Sequence, residues 1–314
     1  MSHVFLPVLV SNMPVSILDV PLAEVEDVLN RLDPPLRKRK LSNRVAFEMM
    51  CYVLKFGIPW SELKWRMAQM SATPAAVYKR FQTWTRAGVL EAVWREVLAK
   101  YAHMRLLADS HWFRIINVDT SMIKNVCGSD GTGPNPTDRA REATKLSFIC
   151  DQNMIPISMQ VYPANRNDIR TLEPAVCGIA CKIHPDERYK SILAGDKGYV
   201  SKTIAARLLA DHRIKMMVPR KKNMKYTRPL TRYEKAILKQ RHKIENTFCR
   251  FDKLKRIYCR VDRLLSSYVA FTYMAMTMVT LMAMHRVRTA SEPRPRAAFE
   301  GHAPRPRTAS MRRV

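Results

Sequence analysis

Three acidic residues, far apart in the chain, stand out as candidates for chemistry. Asp119 ends a short apolar, β-branched run at residues 113–118, and Asp196 follows a similar run at residues 191–195. Glu245 lies in a stretch without Gly or Pro, which predicts a continuous helix over residues 240–251. The apolar residues of that stretch recur at helical spacing: Ile237, Ile244, Phe248, Phe251. Glu245 is expected at the border of this stripe.

The two aspartates are expected to meet although they are distant in sequence. In α/β sheets, ligands gather at the carboxyl ends of the strands, where both runs place their acid. Glu245 reaches the same place from the following helix. Three carboxylates this close repel one another unless a cation compensates them. Mg²⁺ prefers such oxygen ligands, and two ions about 3.5–4 Å apart support phosphoryl displacement.

The net charge indicates the class of partner. The chain has 54 Lys and Arg against 27 Asp and Glu, which gives +27 and a pI near 10.2. An excess of this size favours a polyanion, first nucleic acid and second an anionic membrane. A carboxylate cluster in so basic a chain suits metal-assisted chemistry on a nucleic-acid backbone.

Several cations near the acids are candidates for phosphate contacts. Arg241 either neutralises Glu245 or binds a phosphate bidentately. Lys145 and Lys197 either contact DNA or project to solvent. Asp168 is expected to cap the helix that follows it rather than to join the carboxylates.

The cysteines and one apolar segment bear on the location of the protein. Among seven Cys, only Cys177 and Cys181 are closely spaced, and without a fourth ligand beside His184 a zinc site is disfavoured. No secretory signal is evident, so a reducing, intracellular compartment is expected. Residues 264–284 carry no charge and are long enough to cross a membrane, but their Thr, Ser and Met favour a buried core helix.

The N-terminal part predicts short helices with a basic face. Ser42 and Thr73 are suited to cap helices, and Gly57 and Gly88 to end them. Three short helices, of which the last is basic, resemble a helix-turn-helix module, against the alternative of a plain helical bundle. The expected DNA-binding residues are exposed on that last helix: Lys79, Arg80, Arg86.

The remainder predicts a mixed α/β layer. A strand at 113–119 is followed by a hairpin at 145–151 and 154–162, and then strands at 191–195 and 214–218 alternate with helices. We expect four parts: a lead-in at 1–35, a helical DNA-binding region at 36–105, a catalytic domain at 110–287 and a disordered basic tail at 288–314.

Short motifs around these residues resemble a known family. The motifs are Val118-Asp119-Thr120-Ser121, Thr144-Lys145-Leu146-Ser147, Pro163-Ala164-Asn165-Arg166-Asn167-Asp168, Ala194-Gly195-Asp196-Lys197-Gly198-Tyr199, Arg241-His242-Lys243-Ile244-Glu245 and Ser267-Tyr268-Val269-Ala270-Phe271. Over residues 35–285 the sequence resembles the DDE transposases of the IS4/IS5 insertion-sequence superfamily, closest to the IS5-like group. The N-terminal motifs Gly57-Ile58-Pro59-Trp60 and Val77-Tyr78-Lys79-Arg80-Phe81 resemble that family's DNA-end-recognition region.

The resemblance implies a fold and an activity. It implies a ribonuclease-H-like fold in which Asp119, Asp196 and Glu245 hold two Mg²⁺ or Mn²⁺ ions. It implies cleavage at the terminal inverted repeats of a mobile element, followed by attack of the freed 3′-hydroxyl on target DNA. A homodimer in the synaptic complex and a cytoplasmic, nucleoid-associated location (nuclear in a eukaryotic host), without a membrane, are expected with it.

The sequence departs from the family at one signature. The family pattern is Tyr-x2-Arg-x3-Glu-x6-Lys, which Arg241 and Glu245 match. Leu238 stands in the place of the Tyr and Asp252 in the place of the Lys, with Lys253 one residue later as a candidate substitute. An acid near the metals repels DNA phosphate. The alternative function is therefore a catalytically impaired, transposase-derived DNA-binding protein.

Overall fold

A computed structural model describes residues 20–34, 40–184, 190–219 and 229–291. Most of the expected lead-in, the basic residues at 37–39 and the expected disordered tail from 292 onward lie outside the described residues.

The first part of the chain is helical, as predicted. Its helices are α1 (Ala23–Leu32), α2 (Asn43–Phe56), α3 (Leu63–Arg66), α4 (Pro74–Arg86) and α5 (Val89–Ala108). Helix α1 was not predicted and lies within the expected lead-in. It is held by three apolar residues that it buries on one face, Val25, Val28 and Leu29.

Local capping explains where these helices begin and end. The Ser42 hydroxyl accepts a hydrogen bond from the Val45 amide, and the Thr73 hydroxyl accepts one from the Ala76 amide. Gly57 and Gly88 both have φ of 68°, the left-handed conformation that glycine adopts without strain. All four predicted signals are confirmed.

The second part contains a seven-stranded mixed sheet. Its strands are β1 (Ile115–Asn125), β2 (Gly133–Pro134), β3 (Glu142–Cys150), β4 (Pro156–Pro163), β5 (Ser191–Ala194), β6 (Ile214–Met217) and β7 (Cys259–Arg260). The hairpin of β3 and β4 is confirmed. The two-residue strands β2 and β7 were not predicted, because such short runs carry no alternation.

The topology is that of the ribonuclease-H-like fold. The strands β4, β3 and β1 are antiparallel neighbours, and β5 and β6 then continue the sheet parallel to β1. Helices flank the sheet: α6 (Ile169–Cys177), α7 (Lys202–His212), α8 (Arg232–Arg241), α9 (Glu245–Asp252), α10 (Lys255–Tyr258) and α11 (Leu265–Ser291). The predicted fold class is confirmed.

The helix predicted over residues 240–251 is interrupted. A 3₁₀ turn at His242–Ile244 separates α8 from α9, although the backbone of Arg241, Ile244 and Glu245 remains right-handed helical. The tighter turn preserves the helical direction but shifts the angular position of every later side chain. Glu245 therefore begins a helix rather than lying inside one.

Helix α11 joins the two parts of the chain into one core. Its Phe271 ring stacks on Phe81 at 4.6 Å and on Trp60 at 5.9 Å between centroids, so it packs directly on the N-terminal helices. Leu265–Arg288 is long and apolar enough to cross a membrane, but 83% of the apolar part of this helix is buried inside the fold. The preference for a core helix agrees with this burial.

Candidate active site

Asp119 lies in β1, and Asp196 lies at the same level just beyond the end of the adjacent parallel strand β5. The last paired residues of β1 and β5 are Asn117 and Ala194, and each acid follows two residues later. Side chains two residues apart point to the same face, and adjacent strands are about 5 Å apart. The predicted convergence of the two aspartates is therefore supported by the register.

The location of Asp119 differs from the prediction in one respect. Asp119 does not end its strand, because β1 continues to Asn125 and pairs with β3 along that extension. Only the parallel pairing with β5 stops before the acid. Asp196 does lie beyond the end of β5, where its carboxylate accepts a hydrogen bond from the Gly198 amide at 2.6 Å.

Gly195 allows the two strands to approach closely before the acids. A Cβ atom at this position would lie 3.1 Å from a Val118 methyl carbon and 3.1 Å from the Tyr199 ring. Both neighbours are buried, so neither can move away easily. A side chain here would push apart the strands that carry Asp119 and Asp196.

Aromatic packing holds α9 against the face of the sheet that carries Asp119. Phe148 is the cross-strand partner of Asp119, so both side chains point to this face. The Phe148 ring packs against Phe248 at 5.6 Å and against Phe251 at 4.9 Å. Glu245, at the start of α9, is thereby kept on the same face as Asp119.

Arg241 provides the direct contact between this helical segment and the acids. Its guanidinium Nη1 lies 3.4 Å from Asp119 Oδ2, and both side chains are about a quarter exposed. Arg241 thus pairs with Asp119 and not with Glu245, which was its expected partner in one of the two alternatives. Glu245 is exposed and forms no ion pair with the residues that the structure describes.

The environment of Asp119 disfavours its charged form. Burial raises the pKa of the Asp119 carboxyl above its ordinary value, and the negative charges of Asp196 and Asp168 raise it further. A hydrogen bond from the Thr120 amide and the Arg241 guanidinium act in the opposite direction. Burial is the largest of these effects, so the neutral form of Asp119 is favoured relative to a carboxyl in water.

Asp168 does not cap α6, contrary to the prediction. It occupies the N-cap position but makes no side-chain capping hydrogen bond. Its Oδ1 accepts from the Lys145 ammonium at 2.6 Å and from the Thr120 hydroxyl at 3.1 Å instead. The competing ion pair has drawn the carboxylate away from the helix end.

Lys145 is buried behind the acids. Its side chain is 4% exposed, and its ammonium also donates to the Arg166 carbonyl. Lys145 is paired across the strands with Met122, so it points to the face of Thr120, opposite to Asp119. The alternative in which Lys145 projects to solvent is wrong.

The other predicted cations fall into two groups. Lys79, Arg86, Lys197 and Lys253 are exposed. Arg80 is not: its guanidinium contacts the side chains of Asn43 and Asp33 and lies over the Trp84 ring, with 12% of its side chain exposed. The prediction that Arg80 faces outward is therefore wrong, because these contacts tie α4 to α1 and α2.

The residues present fit divalent metal ions only in part. Among the described residues, no three His, Cys, Asp or Glu side chains are grouped closely enough to hold an ion. Asp119 and Asp196 nevertheless offer carboxylate oxygens, which are the hard ligands that Mg²⁺ requires. Cys177 is exposed and its sulfur lies 3.9 Å from His212 Nε2.

Known proteins with similar sequences were found for both parts of the chain. Residues 114–284, more than half of the chain, match the family described as transposase DDE domain. Residues 21–94 match the family described as putative transposase of the IS4/5 family. A putative transposase for insertion sequence element IS402 from Burkholderia cepacia is 30% identical over 134 residues, which are 41% of this chain and 59% of that protein. The chain thus spans less than two thirds of this relative.

Two solved structures are similar at low identity. A piggyBac transposase synaptic complex with hairpin DNA is 8% identical with a TM-score of 0.49, covering 88% of this chain and 74% of that one. A Mos1 transposase paired-end complex is 11% identical with a TM-score of 0.23, covering 70% and 79%. The match to the transposase DDE-domain family over residues 114–284 includes Asp119, Asp196 and Glu245. The chain therefore belongs to the transposase DDE-domain family and is of the IS4/IS5 type.

Proposed function

We propose that this protein is a DNA transposase that cleaves DNA at the ends of a mobile element and joins the freed 3′-hydroxyl to target DNA. The observation that carries the proposal is the shared register of Asp119 and Asp196, with α9 packed on the same face through Phe148. In this proposal Asp119, Asp196 and Glu245 are the catalytic residues. The partners are the terminal inverted repeats and the target DNA, bound by a homodimer.

Each side chain has a role that follows from its position. Asp119 and Asp196 would hold two Mg²⁺ or Mn²⁺ ions, which would activate the attacking oxygen and stabilise the leaving oxygen. Glu245 is exposed and one helical turn from Arg241, so it can complete the ligand set from the same face. Arg241 offsets the charge of Asp119 in the free protein and is available to bind phosphate bidentately.

The exposed cations would bind the DNA backbone. Lys197 follows Asp196 directly, and Lys253 follows the last residue of α9. Lys79 and Arg86 are exposed on α4, and we keep them as contacts of a DNA-binding region at residues 36–105. Lys145 and Arg80 support the site and the helices from within. Binding through such cations falls steeply as the salt concentration rises.

The decisive experiment uses DNA that carries the inverted repeats flanking the gene. With Mg²⁺ the wild-type protein is expected to nick this DNA and to join it to a target. Glu245→Gln is expected to bind the same DNA and to lose nicking by at least about a hundredfold, as loss of a charge-stabilising group does. Glu142→Gln, an exposed carboxylate at the start of β3, is the matched control.

A second function has its own supporting observations. Asp119 is held by Arg241 in the free protein, and Asp252 replaces the family's Lys. These features favour a catalytically impaired DNA-binding protein derived from a transposase. Specific binding of the repeats by the wild-type protein, without nicking in either Mg²⁺ or Mn²⁺, would select this function.

A further inference from the structure

Exposed aromatic rings lie next to cations on one surface outside the candidate active site. The rings belong to Phe56 at the end of α2, Trp65 in α3 and Tyr258 in α10, and they are 44%, 75% and 57% exposed. Each has a lysine ammonium over it: Lys55 at 5.2 Å, Lys64 at 5.1 Å, Lys255 at 5.6 Å. We call these six residues the basic aromatic surface.

The elements that carry this surface are in contact with one another. The Tyr52 ring packs on Phe56 at 4.5 Å, and the Arg66 guanidinium lies over Tyr52 at 5.2 Å, which joins α3 to α2. Gly57, after α2, approaches Lys255 so closely that a Cβ atom would lie 2.8 Å from the lysine Cβ. The surface is therefore continuous from α3 across the end of α2 to α10.

The charge of this surface is strongly one-sided. Within residues 52–66 and 255–258, Glu62 is the sole acid, whereas Lys55, Lys64, Arg66 and Lys255 are basic, and the buried Arg256 is paired with Asp262. A polyanion is the complementary partner. Phosphate contacts alone do not explain the three exposed rings, because a large apolar ring is costly to keep exposed to water.

A fully paired duplex does not satisfy these rings, because its bases are stacked on one another inside the helix. Unpaired bases expose their faces, and aromatic side chains beside cations are the usual platform for them. We propose that the basic aromatic surface binds unpaired DNA, with Trp65 stacking on a base and Lys64 and Arg66 contacting the adjacent phosphates. This inference rests on the proposed function.

A short stretch of chain joins the surface to the proposed catalytic acid. Helix α10 begins three residues after α9 ends, and α9 begins with Glu245, the proposed catalytic acid. A strand that separates from its complement near that acid has α10 as the next helix of the chain, and α3 belongs to the same basic aromatic surface. We assign to this surface the capture of the separated strand beside the cleavage point.

The fluorescence of Trp65 provides a direct test. All five tryptophans are described, and Trp65 alone is exposed, while Trp84 and Trp94 are buried. Iodide should therefore quench the emission of Trp65 selectively in the full-length protein, and Trp65→Phe should remove the quenchable component. Bound oligothymidylate is expected to protect it. All measurements are made in EDTA, so that cleavage plays no part.

Binding of labelled oligothymidylate and of a random-sequence duplex measures the contribution of the ring. Trp65→Ala is expected to weaken oligothymidylate binding about tenfold, the effect of losing one stacked base, and duplex binding less than about twofold. Trp65→Phe should retain most of the affinity. Leu107→Ala, which removes a side chain that is 74% exposed at the end of α5, is the control for loss of an exposed apolar group.

Three results would overturn the assignment. They are equal losses for both DNA forms in Trp65→Ala, a loss in Leu107→Ala as large as in Trp65→Ala, and protection of Trp65 by phosphatidylserine vesicles but not by oligothymidylate. The last would assign the surface to a membrane. Failure of the proposed function looks different, because the wild-type protein would then not nick the inverted-repeat DNA in Mg²⁺ or Mn²⁺, whereas the measurements on Trp65 are made in EDTA and do not depend on nicking.

Discussion

Asp119 is where the requirements of folding and of the proposed chemistry conflict. Its carboxylate is largely withdrawn from water and lies near two other acids, while only Arg241 and one amide favour its charge. Such an arrangement destabilises the metal-free fold and becomes useful when a cation is bound.

Replacement of this acid should therefore stabilise the protein in EDTA. The pKa of Asp119 is raised in the fold, so its ionised form is penalised above that pKa, and the penalty disappears below its ordinary value of 3.8. Asp119→Asn is expected to raise the midpoint of thermal unfolding at pH 7, with a gain that shrinks towards pH 3. Mg²⁺ should stabilise the wild type but not this variant.

The control for this prediction is an acid that is not buried. Asp211, exposed near the end of α7, should show no comparable gain when it is replaced by Asn. A lower unfolding midpoint for Asp119→Asn at pH 7 would mean that the Arg241 pair outweighs burial, contrary to the expected balance.

The side chains show how far a sequence predicts a site. Asp119 and Asp196 were found because each follows a β-branched run, a local signal. The pairing of Lys145 with Asp168 was missed, because it depends on the register of β3 against β1 and on the path of the chain after β4. A helix-capping preference is worth about 1 kcal/mol, and a charged hydrogen bond is stronger. The tertiary contact therefore prevailed.

At the scale of elements, α9 is the least predictable part of the site. Its apolar stripe predicted the face that packs on the sheet, which is confirmed by the contacts of Phe248 and Phe251 with Phe148. The 3₁₀ turn at His242–Ile244 was not predicted, because no Gly or Pro marks it. It sets the angle of Glu245 relative to Arg241, and the apolar periodicity on either side carries no trace of it.

Asp252 at the end of α9 should limit DNA affinity. It is exposed and seven residues after Glu245, so it lies on nearly the same face two turns further along. Asp252→Lys is expected to tighten duplex binding and to steepen the dependence of log K on log salt by about one, as one added phosphate contact does. Asp252→Asn should give a smaller gain. Fluorescence anisotropy over a salt series measures both.

A substitution that makes the same change of charge at another place separates the effect of position on DNA affinity from the effect of net charge. Asp211→Lys changes the total charge equally but lies on α7. Equal tightening by both lysine variants would indicate a general effect of charge and would count against a DNA path along α9.

At the scale of the whole molecule, the two parts of the chain share one hydrophobic core. Phe271 of α11 is fully buried and stacks on Phe81 of α4, and α11 also packs along α5 and against β4. The division at residues 36–105 and 110–287 remains a prediction about function. The amphipathic patterns predicted the apolar faces of the helices in each part of the chain. They did not predict that both parts pack on α11, because α11 is apolar on nearly all sides and its sequence does not show which side meets which neighbour.

This shared core predicts a single cooperative unfolding transition. Phe271→Ala should reduce the free energy of unfolding by about 3–5 kcal/mol, since it leaves a cavity between α4 and α11. Leu264→Ala, at a side chain that is 60% exposed, should change it by less than about 0.5 kcal/mol. Urea titrations followed by tryptophan fluorescence report mainly on the N-terminal part, which carries Trp60, Trp65, Trp84 and Trp94 of the five tryptophans, and circular dichroism reports on the whole chain. Coincident transitions in both variants are expected. If fluorescence changed before circular dichroism in Phe271→Ala, the N-terminal helices would unfold independently and the single core would have to be abandoned.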